Sequence, residues 1–203
     1  DKESIILRYE VYKMKKLHSL AVLICLTGLL TGCDNYAKQY DTNTLVVKNN
    51  GSVVEISVED FKDSSVDAAS VTSYVEEQID TFNETSDSKI KMKSIDTEDM
   101  SHVKLVLSYK DMESFDAFNL LDYSFVDIED AKEADLTGSF TSADDKKTSP
   151  SDIMAEEKGK VLTVTEATNV VVKGSILYYN DEVTISDGIA KTSGNKNAII
   201  IFK

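Results

Sequence analysis

Between Thr44 and Tyr109 the spacing of apolar residues changes from two to about 3.6 and back to two. That double change requires strands and helices to share a core. The run "TLVVKNNGSVVEISVEDF" (44–61) sets two β-branched segments on either side of Asn50-Gly51. Asn-Gly accepts positive φ at little cost, so the run predicts a hairpin. Val54, Ile56 and Val58 alternate with Glu55, Ser57 and Glu59, which predicts one buried face and one wet face. From Val66 the period lengthens. Val71, Val75, Ile79 and Phe82 share one side, and Glu76, Glu77 and Asp80 take the other. This predicts an amphipathic helix of about four turns. "KIKMK" (89–93) and then Val103, Leu105, Leu107 and Tyr109 restore the strand period across the polar turn "DTEDMS". Asp111 is placed to cap a short helix that buries Met112, Phe115, Phe118 and Leu121.

The stretch "TGSFTSADDKKTSPSD" (137–152) has no period and reads as a flexible loop. After it come "VLTV", "NVVVKGSILYY", "EVTIS" and "AIIIFK", with turn signals at Asn180-Asp181, Asp187-Gly188 and Gly194-Asn195. These segments are too few to bury a core of their own, so they are expected to join the earlier strands. The expected fold is α+β: a single domain over 44–203, mostly antiparallel sheet with two helices. The apolar ending predicts a buried last strand.

Ahead of this domain, "MKKLHSLAVLICLTGLLTGC" (14–33) places two lysines before the most apolar run of the chain and ends it in small residues and Cys33. Lysines that stay in the cytoplasm and an apolar run that enters the membrane are the layout of a secretory signal. The alternative is a retained N-terminal membrane helix. Against it, the uncharged run from Leu17 to Cys33 falls short of about 20 apolar residues and ends in Thr and Gly. Leu30-Thr31-Gly32-Cys33 resembles the lipobox of bacterial lipoproteins. The resemblance implies a diacylglyceryl thioether on Cys33, cleavage before it, and a protein that faces outward from the membrane it is anchored to. Residues 1–13 precede a complete signal and read as an upstream extension or a misplaced start. Residues 14–32 are then the signal peptide, and 33–43 are the lipidated cysteine and a short polar tether. If the cell has an outer membrane, Asp34 resembles the signal that retains lipoproteins on the inner one. More loosely, "YKDMESFDAFN" and the "IIIFK" ending resemble small acidic lipoproteins of Gram-positive anaerobes.

Removing residues 1–32 takes away five basic and three acidic residues, which leaves 17 basic and 33 acidic. So acidic a chain, with no basic run longer than two, is not built to bind nucleic acid. Its charge is also expected to repel anionic lipid, leaving the acyl group as the membrane contact. Cys33 is the only cysteine of the processed chain and His102 the only histidine. Cys–His catalysis and Cys/His zinc sites are therefore closed to a monomer. No glycine-rich phosphate loop is present, and four S-x-x-K matches (from Ser86, Ser88, Ser101 and Ser193) lack the companion motifs of Ser–Lys enzymes. No metal site or cofactor is expected. Carboxylates are the abundant reactive groups, clustered at Glu59/Asp60/Asp63, Asp127/Glu129/Asp130 and Asp144/Asp145. The expected function is a non-catalytic binding module of the cell envelope whose partner is a protein, peptide or glycan. The alternatives are a carboxylate-dependent hydrolase and a calcium-binding surface protein. Tyr178-Tyr179 is the most suggestive aromatic pair for a sugar.

Overall fold

The computed structural model describes residues 35–62 and 65–203. Leu30, Thr31, Gly32 and Cys33, with the extension and signal before them, lie outside the described residues.

Among the described residues, thirteen strands form two sheets where one was expected. The first contains β1 (Thr44–Lys48), β2 (Val53–Glu59), β3 (Lys91–Asp96), β4 (Val103–Tyr109), β9 (Asn169–Lys173), β11 (Val183–Ser186) and β12 (Ile189–Thr192). Its order is β11-β12-β9-β1-β2-β4-β3. The second contains β5 (Ser124–Asp127), β6 (Phe140–Ser142), β7 (Lys147–Thr148), β8 (Lys160–Val164), β10 (Ile176–Asn180) and β13 (Ala198–Phe202). Its order is β5-β8-β13-β10-β6-β7. Pairing is antiparallel throughout except between β1 and β9, which run parallel and make the first sheet mixed. That pairing ties the late strands to the early ones, as their small number required.

The expected hairpin at Asn50-Gly51 closes with a three-residue loop. Gly51 N donates to Lys48 O at 2.9 Å, and Gly51 takes φ +81. The long helix, α2 (Ala68–Thr85), begins where Asp67 accepts a hydrogen bond from Ser70 N. The shorter α3 (Met112–Asn119) begins with a reciprocal Asp111–Ser114 capping box. Two further helices carry no periodic signal: α1 (Tyr36–Gln39) and α4 (Pro150–Met154).

One core lies between the sheets and is closed at one end by α2 and α3. Leu45, Val47, Leu107 and Val170 of the first sheet meet Leu162, Ile200 and Phe202 of the second, with Ile79 and Phe115 from the helices. Both outer faces are also covered. Ile153 of α4 and residues 128–136 pack on Val161, Ile199 and Ile201. Tyr36 of α1 packs on Val46, Val54, Ile56 and Val106. Covered on both sides, β13 is fully buried from Ala198 to Phe202.

Three expectations change. The face of β2 that carries Val54 and Ile56 is buried as expected, under α1, but the face read as wet, with Glu55, turns to the central core instead of to solvent. The tether extends less far than expected: Tyr36 is 7% exposed, and Lys104 Nζ binds both Ala37 O at 2.9 Å and Asp41 at 2.5 Å. The stretch 137–152, expected as a loop, is a small hairpin and α4, anchored by the buried side chain of Phe140.

Candidate functional site

The inner face of the first sheet holds the chemistry. Strand alternation on β2 sends Glu55 inward beside the C-terminal end of α3. Its Oε2 accepts the Tyr109 hydroxyl at 2.5 Å and Asn119 Nδ2 at 3.4 Å, and its Oε1 accepts the Ser57 hydroxyl at 3.1 Å. Burial raises the Glu55 pKa, and these three donors only partly offset it. Burial also lifts the Tyr109 hydroxyl well above its ordinary range, with the adjacent Glu55 charge adding to the effect. The hydroxyl is therefore a donor at any physiological pH. Asn119 Nδ2 also donates to the Tyr109 hydroxyl at 3.3 Å, so the network pins the end of α3 to the sheet.

A second carboxylate lies on the same helix. Asp116 Oδ2 accepts from Tyr123 N at 3.2 Å, while the buried Oδ1 has no hydrogen-bond partner among the described residues. Burial, with the nearby Asp122 charge, pushes its pKa up to about 6. The Tyr123 ring packs on Phe115 of the same helix, 5.5 Å between centroids. Its pKa is raised by burial and then by the charges of Glu166, Asp116 and Glu55. The result is two carboxylates whose neutral forms burial favours, Asp116 titrating at about 6, beside two tyrosines.

An open depression of about 600 Å³ lies elsewhere, lined by Asp41, Asn43, Val58, His102, Asn169 and Lys191 among others. Its polar wall is already engaged. Asn43 Oδ1 accepts from Val58 N at 2.7 Å, and Asn169 Nδ2 donates to Thr42 Oγ1 and Asn43 O at 3.0 and 3.1 Å. Exposed His102 and Lys191 remain open to solvent at its rim. Neither raised carboxylate lines it.

Asp63 lies outside the described residues, and the remaining carboxylates of the clusters chosen from sequence do not come together as a site. Asp60 accepts from Lys62 N in its own turn, Asp127 pairs with Lys160, and Asp145 occupies a positive-φ turn position. Among the described residues no group of three His, Cys, Asp or Glu side chains is arranged to hold a metal ion. Tyr178 and Tyr179 face opposite sides of the second sheet, each half-buried: Tyr179 joins the central core and Tyr178 the outer cluster. Tyr178 donates to Glu156 at 2.7 Å, so the pair forms no common platform. The Glu55–Tyr109–Asn119 network escaped sequence reading because Glu55 sits in an alternation whose opposite face is more apolar. The available signal was α1: an aromatic close before β1 can cover that apolar face and turn Glu55 inward. No helix among the described residues is long and apolar enough to cross a membrane. Comparison with family models, curated proteins and solved structures finds no match for this chain.

Proposed function

We propose that the protein is an outward-facing lipoprotein, anchored through an acylated Cys33, whose α+β portion works as one non-catalytic binding domain of the cell envelope. The anchoring half rests on the order Met14-Lys15-Lys16, apolar run, Leu30-Thr31-Gly32-Cys33, with a packed fold beginning at Tyr36. The observation that carries the binding half is the state of the two raised carboxylates. Glu55 is engaged by Tyr109, Asn119 and Ser57, and Asp116 by Tyr123 N, inside the packing of α3. A hydrolase would need such groups facing a substrate cleft, and here they face the protein.

Expressed with its own leader in a bacterial host, the protein is expected in the membrane fraction, with an N-terminal peptide that begins at acylated Cys33. A mature peptide that retains residues 14–32 would overturn the anchoring. Binding is tested by thermal shift of the full chain against calcium, envelope glycans and peptides. A glycan or peptide is expected to raise the melting temperature. Hydrolysis of any of these, lost in Glu55→Gln, would replace the binding reading with an enzymatic one.

A further inference from the structure

In a chain of net charge −14 the lysines are not evenly spread. Lys48 and Lys173 are parallel partners on β1 and β9, Lys191 lies opposite Asn169, and Lys91 lies opposite Ser108. Strand alternation puts all four on the outer side of the first sheet, the side of Val46, Val54 and Val106 that Tyr36 covers. Exposed Lys38 on α1 adds to them. Against these, the same strands set Asp96 opposite Lys104, and Asp41 is already paired with Lys104. The cover over the second sheet has the other sign, with Glu129, Asp130, Glu133 and Asp135 all exposed. A molecule that repels anionic lipid as a whole thus has one side that attracts it.

Covalent geometry selects the same side. Two residues separate Cys33 from Tyr36, and three peptide units of at most about 3.6 Å each hold their Cα atoms within about 11 Å. Tyr36 is fixed on the sheet, with Lys173 Nζ 5.2 Å from its ring centroid and Tyr40 stacked beside it. An acyl group on Cys33 is therefore attached within about 11 Å of a residue on the lysine-bearing side.

We propose that the α1-bearing outer face of the seven-stranded sheet is a membrane-docking surface for anionic phospholipid headgroups, with Lys48, Lys173 and Lys191 as its main contacts. The proposal rests on acylation at Cys33, and its test separates the two. The acylated full-length protein is reconstituted into vesicles of phosphatidylcholine alone or mixed with phosphatidylglycerol. Its lysines are labelled with an amine reagent, and modified lysines and the N-terminal peptide are read in the same mass spectra. Lys48, Lys173 and Lys191 are expected to label more slowly when phosphatidylglycerol is present, with Lys132 on the opposite cover unchanged. The protection should fade at high salt, where charges are screened within a few ångströms. The Lys48 and Lys191 side chains make no hydrogen bond or ion pair among the described residues, so Lys48→Gln with Lys191→Gln leaves the packing intact. The double variant is expected to lower protection at Lys173 about fivefold for each charge removed. An acylated N-terminal peptide with equal labelling in both vesicle types, or with protection at Lys132, would overturn the docking surface alone. A peptide without acyl groups would overturn the anchored reading and the docking surface with it.

Discussion

Glu55 gives up water on the inner face of β2 and receives three side-chain donors in return, of which the Tyr109 hydroxyl at 2.5 Å is the closest. A buried carboxylate that loses its best donor keeps its desolvation cost, so Tyr109→Phe should destabilise the protein by about 1–3 kcal/mol. Glu55→Gln removes the charge while its amide oxygen still accepts from Tyr109, and should cost less. The sign of its pH dependence follows from the raised pKa. The folded state holds the Glu55 proton more tightly than the unfolded state, whose reference value is 4.5. Stability from this group is therefore complete below about 4.5 and lost as pH rises through the folded value. Urea unfolding at pH 5 and pH 8 should show Glu55→Gln gaining on the native protein at the higher pH. A gap that does not move with pH would show that Glu55 is not held protonated by the fold. Leu120 offers a simpler case. It ends α3 at φ 57, in the left-handed region, with its side chain 70% exposed. Leu120→Gly relieves that conformation and should raise stability by about 1 kcal/mol in the same unfolding assay. A loss instead would mean that the side chain packs usefully despite its exposure.

The elements with a clean period were legible: β1, β2, α2, β4 and the cap of α3 follow from spacing and from one residue at each boundary. The assignment of strands to sheets was not. "NVVVKGSILYY" reads as one apolar segment, yet it leaves the first sheet as β9 and enters the second as β10. The break is at Gly174, where an added Cβ would sit 2.5 Å from Lys203 O, and Ser175 exchanges two backbone hydrogen bonds with Lys203. Chain crossing of this kind depends on a close contact with the far C-terminus, which local pattern does not carry. The turn at Asn180-Asp181 was visible, but its role was not. Buried Asn180 bonds Thr137 O, Asn197 O, Glu182 N and Ile199 N, and so holds the passage from β10 to β11. Two glycine substitutions separate these situations. Gly188 closes the β11–β12 hairpin at φ +76 with nothing within 4 Å, so Gly188→Ala should cost about 1 kcal/mol of conformational strain. Gly174→Ala must displace Lys203 and loosen the two bonds it exchanges with Ser175, and should cost about 2 kcal/mol or more. Equal losses on thermal unfolding would place the sheet crossing somewhere other than Gly174.

At the scale of the molecule, two sets of carboxylates pull the pH dependence of stability in opposite directions. Asp41, Asp67 and Asp152 have pKa values lowered from 3.8 by Lys104, by Ser70 N and by the Ser149 hydroxyl respectively. Each stabilises the fold only when ionised. Their contribution is present above about 4 and disappears as the pH falls through their folded values. Glu55 and Asp116 work the other way, because burial favours their neutral forms. The Asp116 contribution is complete below 3.8 and lost as the pH rises through about 6. Self-repulsion in a chain of net charge −14 adds to the loss on the alkaline side. The window in which the first set is ionised and Asp116 still largely protonated opens at about pH 4 and closes as the pH nears 6, and maximal stability belongs there rather than at neutrality. Melting temperatures measured across pH 3–9 should therefore peak on the acidic side. Asp116→Asn keeps an acceptor for Tyr123 N and removes the titration, so the difference between it and the native protein should change with a midpoint near 6. A stability maximum above pH 7, or a difference curve that is flat across that range, would mean that water reaches both carboxylates more freely than the packing of α3 against β2 and β4 implies.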